Sequence, residues 1–541
     1  MNVKRICFIS CVNDEFQYTE CKKYIRNLKI PKGFNIDCIN IKDAKSIAEG
    51  YNRAMKMSNA RYKVYLHQDL YIINKNFIYD MLEIFKNDEI GMIGVAGAKT
   101  IPTNGVWWES NHKYGQVYES HTGKMEILAF NEVKSNYEEV KVIDGLIMAT
   151  QYDISWREDV FDGWHFYDIS QSVEMNKKQY KVVVPKQEIP WCIHDCGFVD
   201  IKENYEKYRK VFLEEYSKEI FPLVSILIPA YNKPNYLKIG LENVLNQTYK
   251  NIEIIICDDS TNDEVENMLK YYLNKFNNIK YRRNSKEKQD IFFKEDKDEL
   301  RNKEGNNNAI KNFNRCLRLS SGEYINYLMD DDIFNKEKIG KMINYYLEYD
   351  DIKLVTSYRQ IIDEKGNVLN DILPTKRLSE KDTILEGIIL RSFILESMMN
   401  SIGEPTCVLF NKKDLENRMF GEFDEKLYYC NVDIATWLGL LSKGKAVYIA
   451  EPLSYMRMHN DMRSKKMSVM VLGAIEWFNI IMSSLKYNFY QKDNLSNMMV
   501  NWFEKSKYLL DLLKNNNYKD LPLEELYRCF DDASQYTMKL K

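Results

Sequence analysis

Three polar residues recur in each half of this chain, and their types suit chemistry on a phosphorylated donor. The first half carries Asp69, Asp168 and His194; the second carries Asp331, Asp433 and His459. The two aspartates are 99 residues apart in the first half and 102 in the second, and the histidine follows 26 residues later in both. Asp331 lies in the run Met329-Asp330-Asp331-Asp332. Carboxylates crowded after a buried strand repel one another and are tolerable where a hard divalent cation neutralises them. Such a cation completes its shell with water and substrate phosphates, which outlines a Mg2+ or Mn2+ diphosphate site. A carboxylate set apart from that cluster suits a general base. Taken singly, each residue has a plainer reading: the acidic run as a solvated turn or helix N-cap, Asp433 as an N-cap, His459 as a loop histidine. Core packing alone rarely keeps an Asp, Asp, His set at matched spacing twice, so two copies of one site are the better explanation.

The elements around these residues repeat as well. Asn52 to Asp69 (NRAMKMSNARYKVYLHQD) aligns without a gap on Asn314 to Asp331 (NRCLRLSSGEYINYLMDD), with seven of eighteen positions identical. Short β-branched runs at Ile6 to Ser10, Lys63 to Leu66, Val224 to Ile228, Ile252 to Cys257 and Tyr324 to Leu328 alternate with helical stretches. Strand and helix in alternation predict an α/β fold with a mostly parallel sheet, and ligands at the carboxyl ends of its strands. Asp69, Asp258 and Asp331 fall there. Residues 201–220 read as a charged helical connector, and Phe221-Pro222 opens the next strand. The polar stretch 282–308 reads as a surface loop, and the chain from 466 onward is helical in pattern with no catalytic spacing.

Composition narrows the class. A chain of 541 residues exceeds one core. Its 45% hydrophobic content is that of a globular protein, and a net charge of -3 provides no basic field for nucleic acid. Eleven cysteines, an odd number scattered through apolar runs, read as reduced side chains of a cytosolic protein. The spacing Cys192-x-His194-x-Cys196 is not that of a usual zinc knuckle. No signal peptide is expected at MNVKRICFISCVND, and no run of about 18 apolar residues is read anywhere, so no membrane span is expected.

The second half resembles the family 2, GT-A fold glycosyltransferases. Val224 to Asp263 resembles the opening of that family, and Gly322-Glu323-Tyr324 leading into Met329-Asp330-Asp331-Asp332 resembles its DxD segment. Gly403-Glu404-Pro405-Thr406 resembles its acceptor-side segment, Val432 to Leu438 its catalytic-aspartate helix, and Tyr455-Met456-Arg457-Met458-His459 its closing segment. Met329 stands where many members carry the first aspartate, so either Asp330 substitutes or Asp331 holds the metal alone. The resemblance implies that Pro229, Tyr231, Asn232, Asp258 and Asp330 border the nucleotide. It implies that Asp331 and His459 hold the metal and that Asp433 is the general base. Residues Ile47 to Asp69 and Phe161 to Asp168 resemble a divergent glycosyltransferase-like branch with His67-Gln68-Asp69 in place of an acidic motif. There Asp168 takes the base position, Asp69 and His194 the metal positions, and Ser10, Asn13 and His67 the nucleotide side. His67 also reads as a metal ligand. An Asp-Asp pair after the second strand is missing; Asn40 is the nearest substitute.

The resemblance therefore implies two tandem GT-A domains, 1–215 and 222–465, followed by a helical region, 466–541. The expected activity is Mn2+- or Mg2+-dependent, inverting transfer from a nucleotide-diphosphate sugar, UDP-linked by preference, to a hydroxyl of a bacterial glycan or glycoprotein. The expected setting is cytoplasmic, with room for peripheral contact at the inner membrane face and for a homo-oligomer. Trp107-Trp108 reads either as a sugar-stacking platform or as core. The alternative is a single-activity transferase whose first domain is an acceptor- or partner-binding scaffold. A sugar nucleotidyltransferase would need a Gly-rich basic loop after the first strand, which Pro229-Ala230-Tyr231-Asn232 lacks.

Overall fold

The computed structural model describes residues 1–197, 202–284, 306–459, 466–486, 492–514 and 521–538. The chain forms two compact units, Met1–Ile220 and Phe221–Lys541. Most of the loop read over 282–308 lies outside the described residues.

The first unit is built on a seven-stranded sheet. Asn2–Cys11 pairs in parallel with Asn35–Ile41 on one side and Ala60–Leu66 on the other. Ile147–Thr150 lies antiparallel to Ala60–Leu66, and Ile90–Gly94, Lys181–Pro185 and Tyr137–Val140 complete the order. The β-branched and aromatic residues of the central strands point into apolar layers on both faces, which is why those runs show no polar alternation. The helix Lys202–Ile220, read as a connector, packs into this unit instead: Phe212 and Tyr216 are fully buried, and Phe212 lies 5.4 Å from Phe166.

The second unit repeats the central order. Val224–Ala230 pairs in parallel with Ile252–Asp258 and Tyr324–Tyr327, and the antiparallel Leu409–Asn411 follows Tyr324–Tyr327. Ile352–Ile362 and Lys445–Arg457 then run parallel to each other. The helices Met467–Lys486, Lys492–Ser506 and Leu523–Met538 share one core with the sheet's helices; Trp502 and Trp437 belong to the same apolar cluster. One sequence expectation is corrected here. Met467–Leu485 is long and apolar enough to cross a membrane, with a mean hydropathy of 1.5, although 56% of it is buried inside the unit. Glu476 and Asn479 interrupt the apolar run, but the average over the helix absorbs them.

The sequence repeat is a repeat of packing. In the first unit the side-chain amide of buried Asn52 donates to the Trp156 carbonyl and accepts from the Trp156 N–H, both at 2.9 Å. In the second, Asn314 does the same to Phe420, at 3.1 and 2.8 Å. Beside each bracket sits an aromatic trio. Tyr51, Tyr65 and Trp156 have ring centroids 4.9 Å apart in every pair. Phe313, Tyr327 and Phe420 lie 4.6 to 5.5 Å apart. Each bracket fixes a loop that runs on to the helix carrying the later aspartate. Removing either amide strands a buried backbone donor and acceptor. Asn52→Ala or Asn314→Ala is expected to destabilise its own unit by about 1–3 kcal/mol, read as a lower denaturant midpoint of that unit.

Candidate active site

Every sequence-selected aspartate and histidine lies at the carboxyl end of its sheet or at the start of the facing helix. In the second unit, Asp330, Asp331 and Asp332 follow the strand Tyr324–Tyr327 after Leu328 and Met329, and each makes different contacts. Asp332 is buried. It accepts from the Thr406 hydroxyl and, at 3.1 Å, from the Arg457 N–H, so it locks the strand end to two later segments. Asp330 accepts from the Tyr231 N–H at 2.8 Å and ties down the loop after the first strand. Burial lifts the Asp330 carboxyl to about 6, against the pull of Lys233. Asp331 is the most open of the three. Its carboxylate meets His459 Nε2 at 2.9 Å and the Lys233 ammonium. Burial alone would raise the Asp331 carboxyl, but Lys233 and His459 outweigh it and hold it below the ordinary range. Arg457 donates to the Asp331 carbonyl at 2.9 Å and lies 4.7 Å over the Tyr236 ring, which stacks on His459.

The nucleotide-side residues divide. Pro229 lies in the buried strand Val224–Ala230, Tyr231 is 53% exposed, and Asn232 takes a left-handed φ of 55°. The Asn232 N–H donates to the Ser260 hydroxyl at 2.9 Å, and its side chain holds Thr261. Asp258 is fully buried and accepts from Tyr281 at 2.9 Å, Arg283 at 3.2 Å and the Ser260 N–H at 2.8 Å.

Asp433 is the second residue of the helix Val432–Leu441. The Asn400 amide donates to its Oδ2 at 2.6 Å and the Ile434 N–H to its Oδ1 at 2.8 Å. Burial raises its carboxyl to about 7, where a base can both take and release a proton. Arg359 gathers the neighbouring loop, bonding Glu404 at 2.8 Å and the Asn400 carbonyl at 2.6 Å. Trp437 donates to the Gly403 carbonyl at 3.0 Å. The turn leading into the helix is capped from the C-terminal helices. Buried Glu476 accepts from three successive N–H groups, Tyr429, Cys430 and Asn431, at 2.7 to 2.9 Å. Sequence reading missed Lys233, Asn400 and Glu476, since nothing local marks a residue whose partner lies tens of positions away. It also read the C-terminal helices as a separate region with no catalytic spacing.

In the first unit the same scaffold carries a different set. Gln68, aligned with Asp330, accepts from the Asn13 and Asp14 N–H groups at 2.8 and 3.0 Å and ties the loop after the first strand. Ser10 is buried in the strand opposite Asn40. Asp168, second in the helix Tyr167–Lys177, accepts from the Gly145 N–H at 3.0 Å. Burial, helped by Asp144, raises the Asp168 carboxyl to about 7, matching Asp433. Gly145 has no room for a side chain: an added Cβ would lie 2.3 Å from the Tyr167 hydroxyl. His67, Asp69 and His194 converge into the one three-donor cluster capable of holding a metal ion among the described residues. Burial, with His194 beside it, pushes the His67 ring down. For His194, burial opposes the charged form, but contact with Cys196 and Asp69 outweighs it and lifts the ring to about 9. Cys192 is buried in its strand. Of the tryptophan pair, Trp107 is core, edge-on to Phe130, whereas Trp108 is 38% exposed and 5.2 Å from Tyr205.

Comparison with known proteins agrees with this division. Residues 7–216 match the model of a glycosyltransferase-like family, and residues 225–399 match glycosyl transferase family 2. An uncharacterized glycosyltransferase of Rickettsia typhi is 30% identical over 242 residues, covering 44% of this chain and 65% of the relative. The UDP-Glc:alpha-D-GlcNAc-diphosphoundecaprenol beta-1,3-glucosyltransferase of Escherichia coli is 30% identical over 226 residues, covering 41% of this chain and 71% of that protein. The chain thus spans just under two thirds of the Rickettsia typhi relative, and in a Rickettsia felis relative only 36%. Among solved structures, Staphylococcus aureus TarS 1-349 aligns at a TM-score of 0.34 and 16% identity, over 53% of this chain and 83% of that one. The chain belongs to the glycosyltransferases, with two such domains in tandem, the second of family 2.

Proposed function

We propose that both units are catalytic and that each performs inverting transfer from a nucleotide-diphosphate sugar, UDP-linked in the second unit, to a hydroxyl of a growing bacterial glycan. The observation that carries this reading is the matched base: Asp168 and Asp433 occupy the same helix position, and burial brings both carboxyls to about 7. The UDP-glucose specificity of the Escherichia coli relative supports the donor class, and its lipid-linked acceptor supports a cytoplasmic reaction at the inner membrane face.

In this mechanism Asp433 accepts the proton of the acceptor hydroxyl as that oxygen attacks the anomeric carbon. The C–O bond to the diphosphate breaks on the opposite face, so the configuration inverts. Asn400 and Glu476 hold the base in register, Asp330 holds the loop bordering the nucleotide, and Arg457 orders the segment around Asp331. A divalent cation, Mn2+ or Mg2+, would neutralise charge on the departing diphosphate. Asp331 and His459 offer it two donors, and the set fits once Lys233 releases Asp331. In the first unit Asp168 is the base, and Trp108 with Tyr205 offers an aromatic face for an acceptor sugar ring. A second reading, in which the first unit is a scaffold, is favoured by the missing Asp-Asp pair after its second strand.

Release of free nucleotide from a panel of UDP- and GDP-sugars tests both readings. Asp331→Ala is expected to abolish release from one donor, and Asp69→Ala release from a donor of its own. If only Asp331→Ala matters, the first unit is a scaffold; if no donor binds or turns over, the transferase reading itself fails. The base must be ionised to act, so second-unit turnover is expected to fall about tenfold per pH unit below about 7 and to level off above it. Asn400→Ala removes a bond to the charged form and is expected to move that midpoint upward, read from kcat against pH. Glu476→Ala leaves three backbone donors uncapped and is expected to lower kcat by roughly 10-fold or more while changing donor KM little.

A further inference from the structure

Lys338 opens the helix Lys338–Glu348 and is wholly buried, although the mechanism above gives it no part. Its place runs against stability. Lysine is almost never fully buried unless paired, and among the described residues no carboxylate pairs with this one. Its neighbour Glu337 is engaged with Lys341 at 3.0 Å. The Lys338 amine instead lies 3.2 Å from the Cys407 carbonyl, 3.2 Å from Met342 Sδ and 4.9 Å from the centre of the Phe334 ring. A cation at the first position of a helix also opposes the helix dipole. Burial pushes the ammonium down to about 7, and either protonation state keeps an N–H to donate.

What the amine holds explains why it is there. Cys407 ends the short 3-10 turn Pro405–Cys407. Each carbonyl of that turn is taken by a buried side chain: Asn326 donates to Pro405 at 3.3 Å and to Thr406 at 3.1 Å, and Lys338 donates to Cys407. From the turn so held, the Thr406 hydroxyl accepts from the Met329 N–H at 3.1 Å and donates to Asp332, on either side of Asp330 and Asp331. The other end of the same loop reaches the base. Asn400 donates to Asp433 at 2.6 Å, and the Gly403 carbonyl accepts from Trp437 at 3.0 Å. Residues 400–407 thus form a strut between Asp433 and the strand end that carries Asp331, and Lys338 anchors one end of it.

We infer that Lys338 is a positioning residue of the second unit, which holds the Pro405–Cys407 turn and so fixes the spacing between Asp433 and the Asp331 strand end. The inference deepens the transferase reading and rests on Asp433 as its base. The Cys407 carbonyl needs a donor at that point, and an apolar side chain of the same length offers none. Displacement in line tolerates little misplacement: a shift of about 1 Å costs on the order of 100-fold in rate. A residue disfavoured by burial, by helix position and by the lack of a counter-ion, yet bonded to this turn, answers to function and not to stability.

Lys338→Met in the full chain fills the same space with neither charge nor donor. It is expected to leave the denaturant midpoint of the second unit unchanged or raised, because an apolar residue of like volume removes the cost of the buried amine. The donor turnover that Asp331→Ala abolishes is expected to fall by about 10-fold or more in kcat, with donor KM changed less than about twofold. Amide hydrogen exchange over residues 400–411 is expected to quicken. Lys338→Gln returns a neutral N–H donor on a shorter stem and is expected to recover part of kcat. Thr406→Val is expected to lower kcat too, and the double variant with Lys338→Met to fall no lower than the deeper single one, since both act through one turn. A lowered midpoint with kcat and exchange unchanged overturns the inference and makes Lys338 a packing residue. A kcat loss equal in the Met and Gln variants and additive with Thr406→Val overturns it as well. Exchange is read without substrate: if no donor turns over even in the unaltered chain, the transferase reading fails, quickened exchange still supports the hold on the turn, and unchanged exchange overturns it.

Discussion

A half-buried carboxylate at the first turn of a helix, raised by desolvation yet able to ionise near neutral pH, is the constraint on which this architecture depends. Desolvation alone would leave Asp433 and Asp168 protonated, while free exposure would leave them weak bases. Each unit meets the constraint with hydrogen bonds to the charged form. Asn400 and the Ile434 N–H hold Asp433, and the Gly145 N–H holds Asp168. Much of the remaining packing delivers those helices to the carboxyl end of the sheet: the Asn52 and Asn314 brackets, the aromatic trios, and Glu476 beneath the second helix.

Around that shared constraint the two units diverge where charge must be balanced. The second places a lysine and a histidine on Asp331. The first places two histidines around Asp69. The loop after the first strand is held by equivalent positions of different type, Asp330 in one unit and Gln68 in the other. Replacing a carboxylate by a neutral amide there lowers the negative charge near the first site, which fits a site where two histidines stand around one aspartate in place of a row of aspartates.

The repeat Asn52 to Asp69 and Asn314 to Asp331 was readable because its identities include the residues with structural work: the asparagine that brackets a distant loop, the tyrosine of the trio and the terminal aspartate. The α/β class followed from β-branched runs alternating with helices, and the aspartates' positions followed from strand ends. What sequence could not show were partners far apart in the chain. Glu476 caps residues 429 to 431, Asn400 holds Asp433 and Lys233 meets Asp331, and no local period marks any of them. For the same reason the helix Met467–Lys486 read as a separate region, although its Glu476 caps the turn that leads into the Asp433 helix. Its apolar character was underestimated because polar residues break the run that the eye follows.

If both units are catalytic, one chain holds two donor-binding centres. Isothermal titration with UDP- and GDP-sugars in the presence of divalent metal counts them. Two donor equivalents per chain are expected, one lost in Asp331→Ala and the other in Asp69→Ala. A single equivalent that survives Asp69→Ala and vanishes in Asp331→Ala would contradict that reading and leave the first unit without a donor site.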